Sequence, residues 1–269
     1  MPFSEAGSPL DSESFLKALQ TRVATFTRAV ATDRGDWIIK GFIDIARNIY
    51  SLSVDTKVIS KVMELLLFPE LARFAEAHRL KMVLAEHQNF YPDISFVDAQ
   101  GHRFALDLKS TYRVNANQVN GMTLGAFTGY FRDRQSKKNI TFPYASYQGH
   151  FVLGIIYSQA PRRPDERRRY TLDELESISS AISDFAFFVQ EKYRISSDRP
   201  GSGNTKNIGS VTAISELVAG AGPFSDLGRE TFDDYWMFYL TADMARAAEL
   251  PKRPYTNLKS YLKHKGLPT

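Results

Sequence analysis

Two aspartates and a lysine, Asp93, Asp107 and Lys109, are spaced so that folding can bring them onto one surface. Residues 94–98 (ISFVD) alternate in polarity, and residues 103–108 (RFALDL) alternate again. Between them Ala99, Gln100 and Gly101 suit a three-residue turn with glycine in the left-handed position. The pattern predicts a β-hairpin. Pairing Asp98 with His102 sets its register, and counting outward two by two puts Asp93 opposite Asp107. Asp107 and Lys109 then share one face, while Phe104, Leu106 and Leu108 share the other. Opposed carboxylates repel, so a fold that keeps them neutralises the pair with a proton or a cation. Two carboxylates, a lysine and room for water suit a hard divalent ion such as magnesium. A plainer reading fits the same spacing: a solvated hairpin edge on which Lys109 pairs with Asp107.

The elements that must hold these groups can be read around them. A helix is predicted over residues 56–68, with Asp55 as its N-cap and Pro69 beyond its end. Its valine, isoleucine, methionine and leucine residues form the buried side. Glu64 shares the outer side with Lys57, Ser60 and Lys61, so it suits a surface pair with Lys61. Residues 12–50 read as two helical pieces separated by the turn-forming Asp33-Arg34-Gly35-Asp36. Beyond the hairpin come a polar connection around 115–120, a helix or mixed segment over 124–134, an apolar strand over 151–157 and a helix beginning near Leu172. Strands and helices in this order predict an α/β (mixed α+β) fold, with a mixed central sheet flanked by helices.

A second group of residues suits ligand contact rather than core. Gly201, Ser202, Gly203, Asn204, Thr205, Lys206 and Asn207 are too small and polar to pack, so they form a loop, and glycine lets its backbone approach a ligand closely. The loop lacks the ending of a P-loop. Basic clusters fall at Arg132, Arg134, Lys137 and Lys138, at Arg162, Arg163 and 167–169, and in a tail with Lys252, Arg253, Lys259, Lys263 and Lys265. Each fits a solvated face, and together they can supply phosphate contacts. A net charge of +4 and a pI near 9.1 permit a polyanionic partner.

Composition bounds the rest. A chain of 269 residues, 43% hydrophobic, can bury a core as one large domain or two small ones. With no cysteine, disulfide and thiol chemistry are excluded, which fits a reducing compartment. The N-terminal stretch does not read as a secretory signal, and no apolar run reaches membrane-spanning length.

The spacing Pro92-Asp93 followed by Asp107-x-Lys109 resembles the PD-(D/E)XK nuclease motif. Around it, residues 51–69 (SLSVDTKVISKVMELLLFP), 88–93 (QNFYPD), 106–112 (LDLKSTY) and 201–210 (GSGNTKNIGS) look like the EcoRV family of type II restriction endonucleases. The likeness continues through residues 139–150 and 234–236, leaving out the N-terminal extension and some linkers.

This resemblance implies one restriction-endonuclease-like domain over residues 1–269. Its parts would be a helical dimerisation portion about 12–50, a catalytic core about 51–160 and a DNA-recognition portion about 185–269. It implies a homodimer that cuts double-stranded DNA at the palindrome GATATC, bluntly and at the centre. Magnesium would be the cofactor; manganese would substitute, and calcium would support binding only. Asp93, Asp107, the Leu108 carbonyl and Glu64 would serve the metal, while Lys109 orients water. Residues 201–207 would read bases, Asn204 foremost, with Gln88 and Asn89 in a second DNA-contacting loop. Thr56, Lys57, Ser110 and Thr111 would lie near the DNA backbone. A companion methyltransferase and the bacterial cytoplasm follow from the same likeness. Two positions depart from the family pattern: Lys206 replaces a smaller threonine, and Phe90 replaces a histidine. Two rivals remain, a repair or resolving nuclease that reads DNA structure and a catalytically idle DNA-binding module. The 201–210 loop argues against the first, and the intact Asp93, Asp107 and Lys109 argue against the second.

Overall fold

The computed structural model describes residues 10–161, 165–201 and 206–268. It opens with α1 (Ser12–Gln20), capped by the Asp11 side chain on the Ser14 amide, and α2 (Val23–Val30). An antiparallel hairpin follows, β1 (Gly41–Ile43) with β2 (Ile49–Ser51). This corrects the expected second helical piece. The turn is present, with Gly35 at φ 82°, but it leads out of α2 into extended chain. Isoleucine, phenylalanine and tyrosine in the two strands favour a pleated surface.

Helix α3 (Thr56–Ala77) starts where the sequence predicts, Asp55 accepting from the Lys57 and Val58 amides, but it runs for 22 residues and passes through Pro69. A proline inside a helix costs about 3 kcal/mol. Beyond it Leu71, Phe74 and Ala75 are buried, and each large side chain contributes about 1.5–3 kcal/mol on burial. Packing therefore outweighs the break.

Next come β3 (Lys81–Leu84), β4 (Ile94–Val97), β5 (Arg103–Tyr112), β6 (Thr123–Ala126), β7 (Tyr147–Gln159), β8 (Arg169–Tyr170) and β9 (Ile182–Glu191). The described chain ends with α4 (Lys192–Ile195), β10 (Ser196–Pro200), β11 (Asn207–Ser210), α5 (Ile214–Ala219), α6 (Gly228–Phe238), α7 (Ala242–Ala247) and α8 (Leu258–Lys265). The central sheet has the order β3-β4-β5-β7-β9, with β5 and β7 parallel and the other neighbours antiparallel. The fold is thus α+β with a mixed central sheet flanked by helices. Two small sheets, β1-β2-β8 and β10-β11-β6, accompany it.

Two further expectations change. Residues 124–134 hold β6 and a 3-10 turn at Gly129–Phe131, because Gly125 and Gly129 take positive φ and interrupt any helix. The segment Leu172–Ser177 is a 3-10 helix with no buried residue, so no apolar face extends it into an α-helix.

The central strands divide the core by their period of two. Phe104, Leu106 and Leu108 of β5, with Phe151, Leu153, Ile155 and Tyr157 of β7, join one apolar cluster with residues of α1, α2 and α3. Ala105, Val152 and Ile156 face a second cluster that includes Tyr235 and Trp236 of α6 and Tyr261 of α8. No helix among the described residues is long and apolar enough to cross a membrane.

Candidate active site

The predicted hairpin register is the observed one. The Asp98 amide donates to the His102 carbonyl, Gly101 sits at φ 87°, and β4 pairs with β5 from Ile94↔Leu106 to Val97↔Arg103. One step outward sets Asp93 opposite Asp107. The surroundings are not a solvated edge, because β5 lies in the middle of the sheet and Asp107 is only 5% exposed. Since β4 begins at Ile94, β5 has no ladder partner from β4 beyond Leu106. Asp93 takes that place with its side chain, Oδ2 accepting from the Leu108 amide at 2.7 Å. The N–H and C=O of one strand residue leave by the same edge. The Leu108 carbonyl is therefore presented beside Asp93. Lys109 Nζ lies 2.7 Å from Asp107 Oδ2.

Burial, and then the charge of Asp107, push the Asp93 carboxyl up to about 7, against the pull of Lys109 and the Leu108 amide. Burial also works against the Lys109 ammonium. The charges of Asp107 and Asp93 outweigh it and hold the lysine protonated beyond its ordinary range. Lys109 is thus a cation here, suited to orienting water and stabilising anions rather than accepting a proton.

The donor set fits a hard divalent cation: two opposed carboxylates, each with one oxygen engaged by Leu108 or Lys109, and a carbonyl on the same edge. Such an ion relieves the repulsion that raises Asp93. Glu64 does not join them directly. Among the described residues no group of three or more histidine, aspartate or glutamate side chains is placed to hold a metal, and Glu64 Oε2 bonds Lys61 Nζ at 2.6 Å. Glu64 lines a neighbouring groove of about 730 Å³ with Thr56, Lys57, Ser110 and Asp93, near enough for its charge to act on Asp93.

Asp93, Asp107 and Lys109 form part of the wall of a groove of about 800 Å³, which Gln88, Asn89 and Asn207 also line. Asn207 arrives from far along the chain, because β11 pairs with β6 at Asn207↔Ala126. Gly201 closes its loop by donating its amide to the Asn207 carbonyl at 2.9 Å, and the Lys206 carbonyl accepts from the Phe127 amide. Ser202, Gly203, Asn204 and Thr205 lie outside the described residues. Thr56, Lys57 and Lys206 are exposed, and Ser110 Oγ is 2.7 Å from Ser60 Oγ. Thr111 departs from the expectation: it is buried and donates its hydroxyl to the Asn120 carbonyl, so it faces the interior rather than a ligand.

Several groove residues carried no sequence signal. Thr123, Gly125, Thr128 and Asp133 reach the groove from short or irregular segments without periodicity. Of the basic cluster, Lys138 lines the groove, whereas Arg132 donates to the Tyr239 carbonyl at 2.6 Å and Arg134 pairs with Asp233 at 2.8 Å. The two arginines are engaged in structure.

A mixed sheet that presents Asp93, Asp107 and Lys109 along one groove has the makings of a metal-assisted nuclease of the PD-(D/E)XK kind. The family model described as restriction endonuclease EcoRV matches residues 33–266, and the chain belongs to that family. The type II restriction enzyme EcoRV of Escherichia coli is 33% identical over 224 residues, covering 82% of this chain and 88% of that one. Among solved structures, the NlaIV restriction endonuclease aligns over 97% of this chain and 92% of its own at 9% identity, with a TM-score of 0.39, too loose to carry an argument.

Proposed function

We propose that this restriction endonuclease hydrolyses double-stranded DNA at a palindromic site, GATATC with a blunt central cut, using magnesium. The observation that carries the reading is the meeting of Asp93, Asp107 and Lys109 on a groove that also holds Gln88, Asn89 and Asn207. Asp93, Asp107 and the Leu108 carbonyl would hold the cation, with Glu64 nearby through the adjoining groove. A bound divalent ion supplies Lewis acidity to the phosphodiester and acidifies water. Lys109 orients the attacking water and offsets charge growing on the phosphate. No side chain need form a covalent bond to the substrate.

The target is carried over from the likeness to EcoRV, and its main support in this chain is the sequence GSGNTKNIGS, whose Asn204 can offer a donor and an acceptor to adenine in the major groove. Gln88 and Asn89 contact the duplex beside the metal site, and Thr56, Lys57 and Ser110 lie near the backbone. A palindrome calls for a two-fold dimer with one site per strand. Exposed apolar residues around the β1–β2 hairpin favour a second copy there: Phe42 is 53% exposed and Ile43 59%. The setting is a bacterial cytoplasm, with a companion methyltransferase that protects host DNA.

The decisive experiment digests a plasmid carrying one GATATC site in magnesium, manganese or calcium and sequences the ends. Blunt ends at that site in magnesium and manganese, with binding but little cutting in calcium, are expected. Staggered ends or a different site refute the target while leaving the nuclease. No metal-dependent cutting of any duplex refutes the enzyme.

A further inference from the structure

Behind the groove wall lies a charge that the reaction so far leaves unused. Lys192, the first residue of α4, is 2% exposed, and among the described residues its Nζ has no hydrogen-bond partner. A buried ammonium without acceptors is costly, so its place calls for a reason. Its Nζ stands 4.7 Å from the centroid of the Tyr91 ring and 5.8 Å from those of Phe131 and Tyr144. Aromatic faces offset part of the lost hydration.

This cage abuts the groove. Tyr91, Tyr130 and Gly125 line it together with Asp93, Asp107 and Lys109. A Cβ added to Gly125 would stand 3.1 Å from Tyr130 Oη and 3.4 Å from Lys192 Nζ, so little more than a glycine separates the ammonium from the groove. Burial pulls Lys192 down to about 8, and Asp107 is the strongest charge acting the other way. The carboxylate thus favours the charged form of Lys192. Asp233 and Arg134 also act on it, but they bond each other at 2.8 Å and largely cancel.

We propose that Lys192 is a positioning residue, whose buried positive charge balances the paired carboxylates from behind the groove wall and draws the DNA phosphate toward them. With Asp93 and Asp107 ionised, as cation binding requires, Lys109 and Lys192 bring the four charges to zero. Removing Lys192 takes one positive charge from behind the wall, which weakens its attraction for a phosphodiester and strengthens its attraction for a divalent cation. These two effects have opposite signs, and a merely structural role produces no such opposition. The inference rests on the metal-dependent DNA hydrolysis proposed above.

The test compares the full-length unaltered protein with Lys192→Met, an unbranched neutral replacement suited to an aromatic cage, and Lys192→Arg, which keeps the charge. At pH 7, Mn2+ binding to the free protein is measured by electron paramagnetic resonance. Binding of a fluorescent GATATC duplex is measured in EDTA, and folding by circular dichroism. Lys192→Met is expected to bind Mn2+ more tightly and the duplex more weakly, each on the order of three- to tenfold, with Lys192→Arg near the unaltered protein on both. If Lys192→Met is unfolded, Lys192→Gln takes its place. Neutral variants that all unfold, that shift both affinities in one direction, or that shift neither overturn the proposal. If the unaltered protein binds neither Mn2+ nor DNA, the functional reading itself has failed.

Discussion

The two faces of the central sheet are built from different materials. Toward α1, α2 and α3 the core is largely hydrocarbon: Phe15 stacks on Phe104 with centroids 4.5 Å apart, and Phe74 and Phe96 close around them. Toward α6 and α8 it is rich in tyrosine and holds polar groups. Tyr91 Oη lies 2.9 Å from His150 Nδ1, Ser95 Oγ 2.7 Å from Tyr147 Oη, and Tyr255 Oη donates to the Tyr235 carbonyl at 2.6 Å. Strand β5 serves both, sending Phe104, Leu106 and Leu108 one way and Ala105, Asp107 and Lys109 the other. A face that must hold carboxylates and ammoniums needs rings that pack like hydrocarbon and still carry a hydrogen-bonding tip. The other face has no such duty, so it can be devoted to cohesion.

The sharpest way to break this comparison is to strike both faces of β5. Asp107→Ala is expected to lower single-turnover cleavage by about a thousandfold or more. It should leave the circular dichroism intact, because Asp93 remains as a counter-charge for Lys109. A rate near that of the unaltered protein would remove Asp107 from the mechanism. Phe104→Ala, on the other face, is expected to cost about 3–5 kcal/mol in urea unfolding. The protein that remains folded should cut at a near-normal rate, and lost cutting without lost stability would contradict the division of labour.

Smaller effects sharpen the picture of the polar side. Asn204→Ala is expected to lose about 1–3 kcal/mol of discrimination at one base position and to leave the unfolding curve unchanged. Binding to GATATC and every single-base variant in calcium reads this out, and an unaltered preference profile would strip Asn204 of its role. His150 provides the last test. Burial foremost, then Arg229, Lys192 and Arg134, hold its imidazole well below the ordinary value. The unfolded chain takes up a proton below about pH 6.5 that the folded chain refuses, so His150 contributes stability above that pH which is lost as the pH falls. Asp93, with its raised carboxyl, acts in the opposite sense. The His150 contribution is therefore read as the difference between the unaltered protein and His150→Phe. Between pH 6 and 5 the unaltered protein should lose up to about 1.4 kcal/mol per pH unit more than the variant. Parallel curves would mean that His150 is charged in the fold.

What the amino-acid order determined by itself was local. The turn at 99–101 sets the register that opposes Asp93 to Asp107, the period of two divides β5 between its faces, and Asp55 caps α3, because each depends on neighbours a few residues away. Tertiary structure decided the rest. Pro69 is carried inside α3 because the residues beyond it are buried. Residues 41–51 became a hairpin stabilised partly by β8, more than a hundred residues away, and 123–126 became a strand because β11 pairs with them. Thr111 turned from a presumed contact into an interior hydroxyl. Glu64 bonded to Lys61, the local pairing its spacing allowed, while packing set it on a groove shared with Asp93. The burial of Lys192 had no signature in its own neighbourhood, since its cage is assembled from Tyr91, Phe131 and Tyr144. Distant pairings are chosen by how much apolar surface they bury together, and that total exists only once the whole chain has folded.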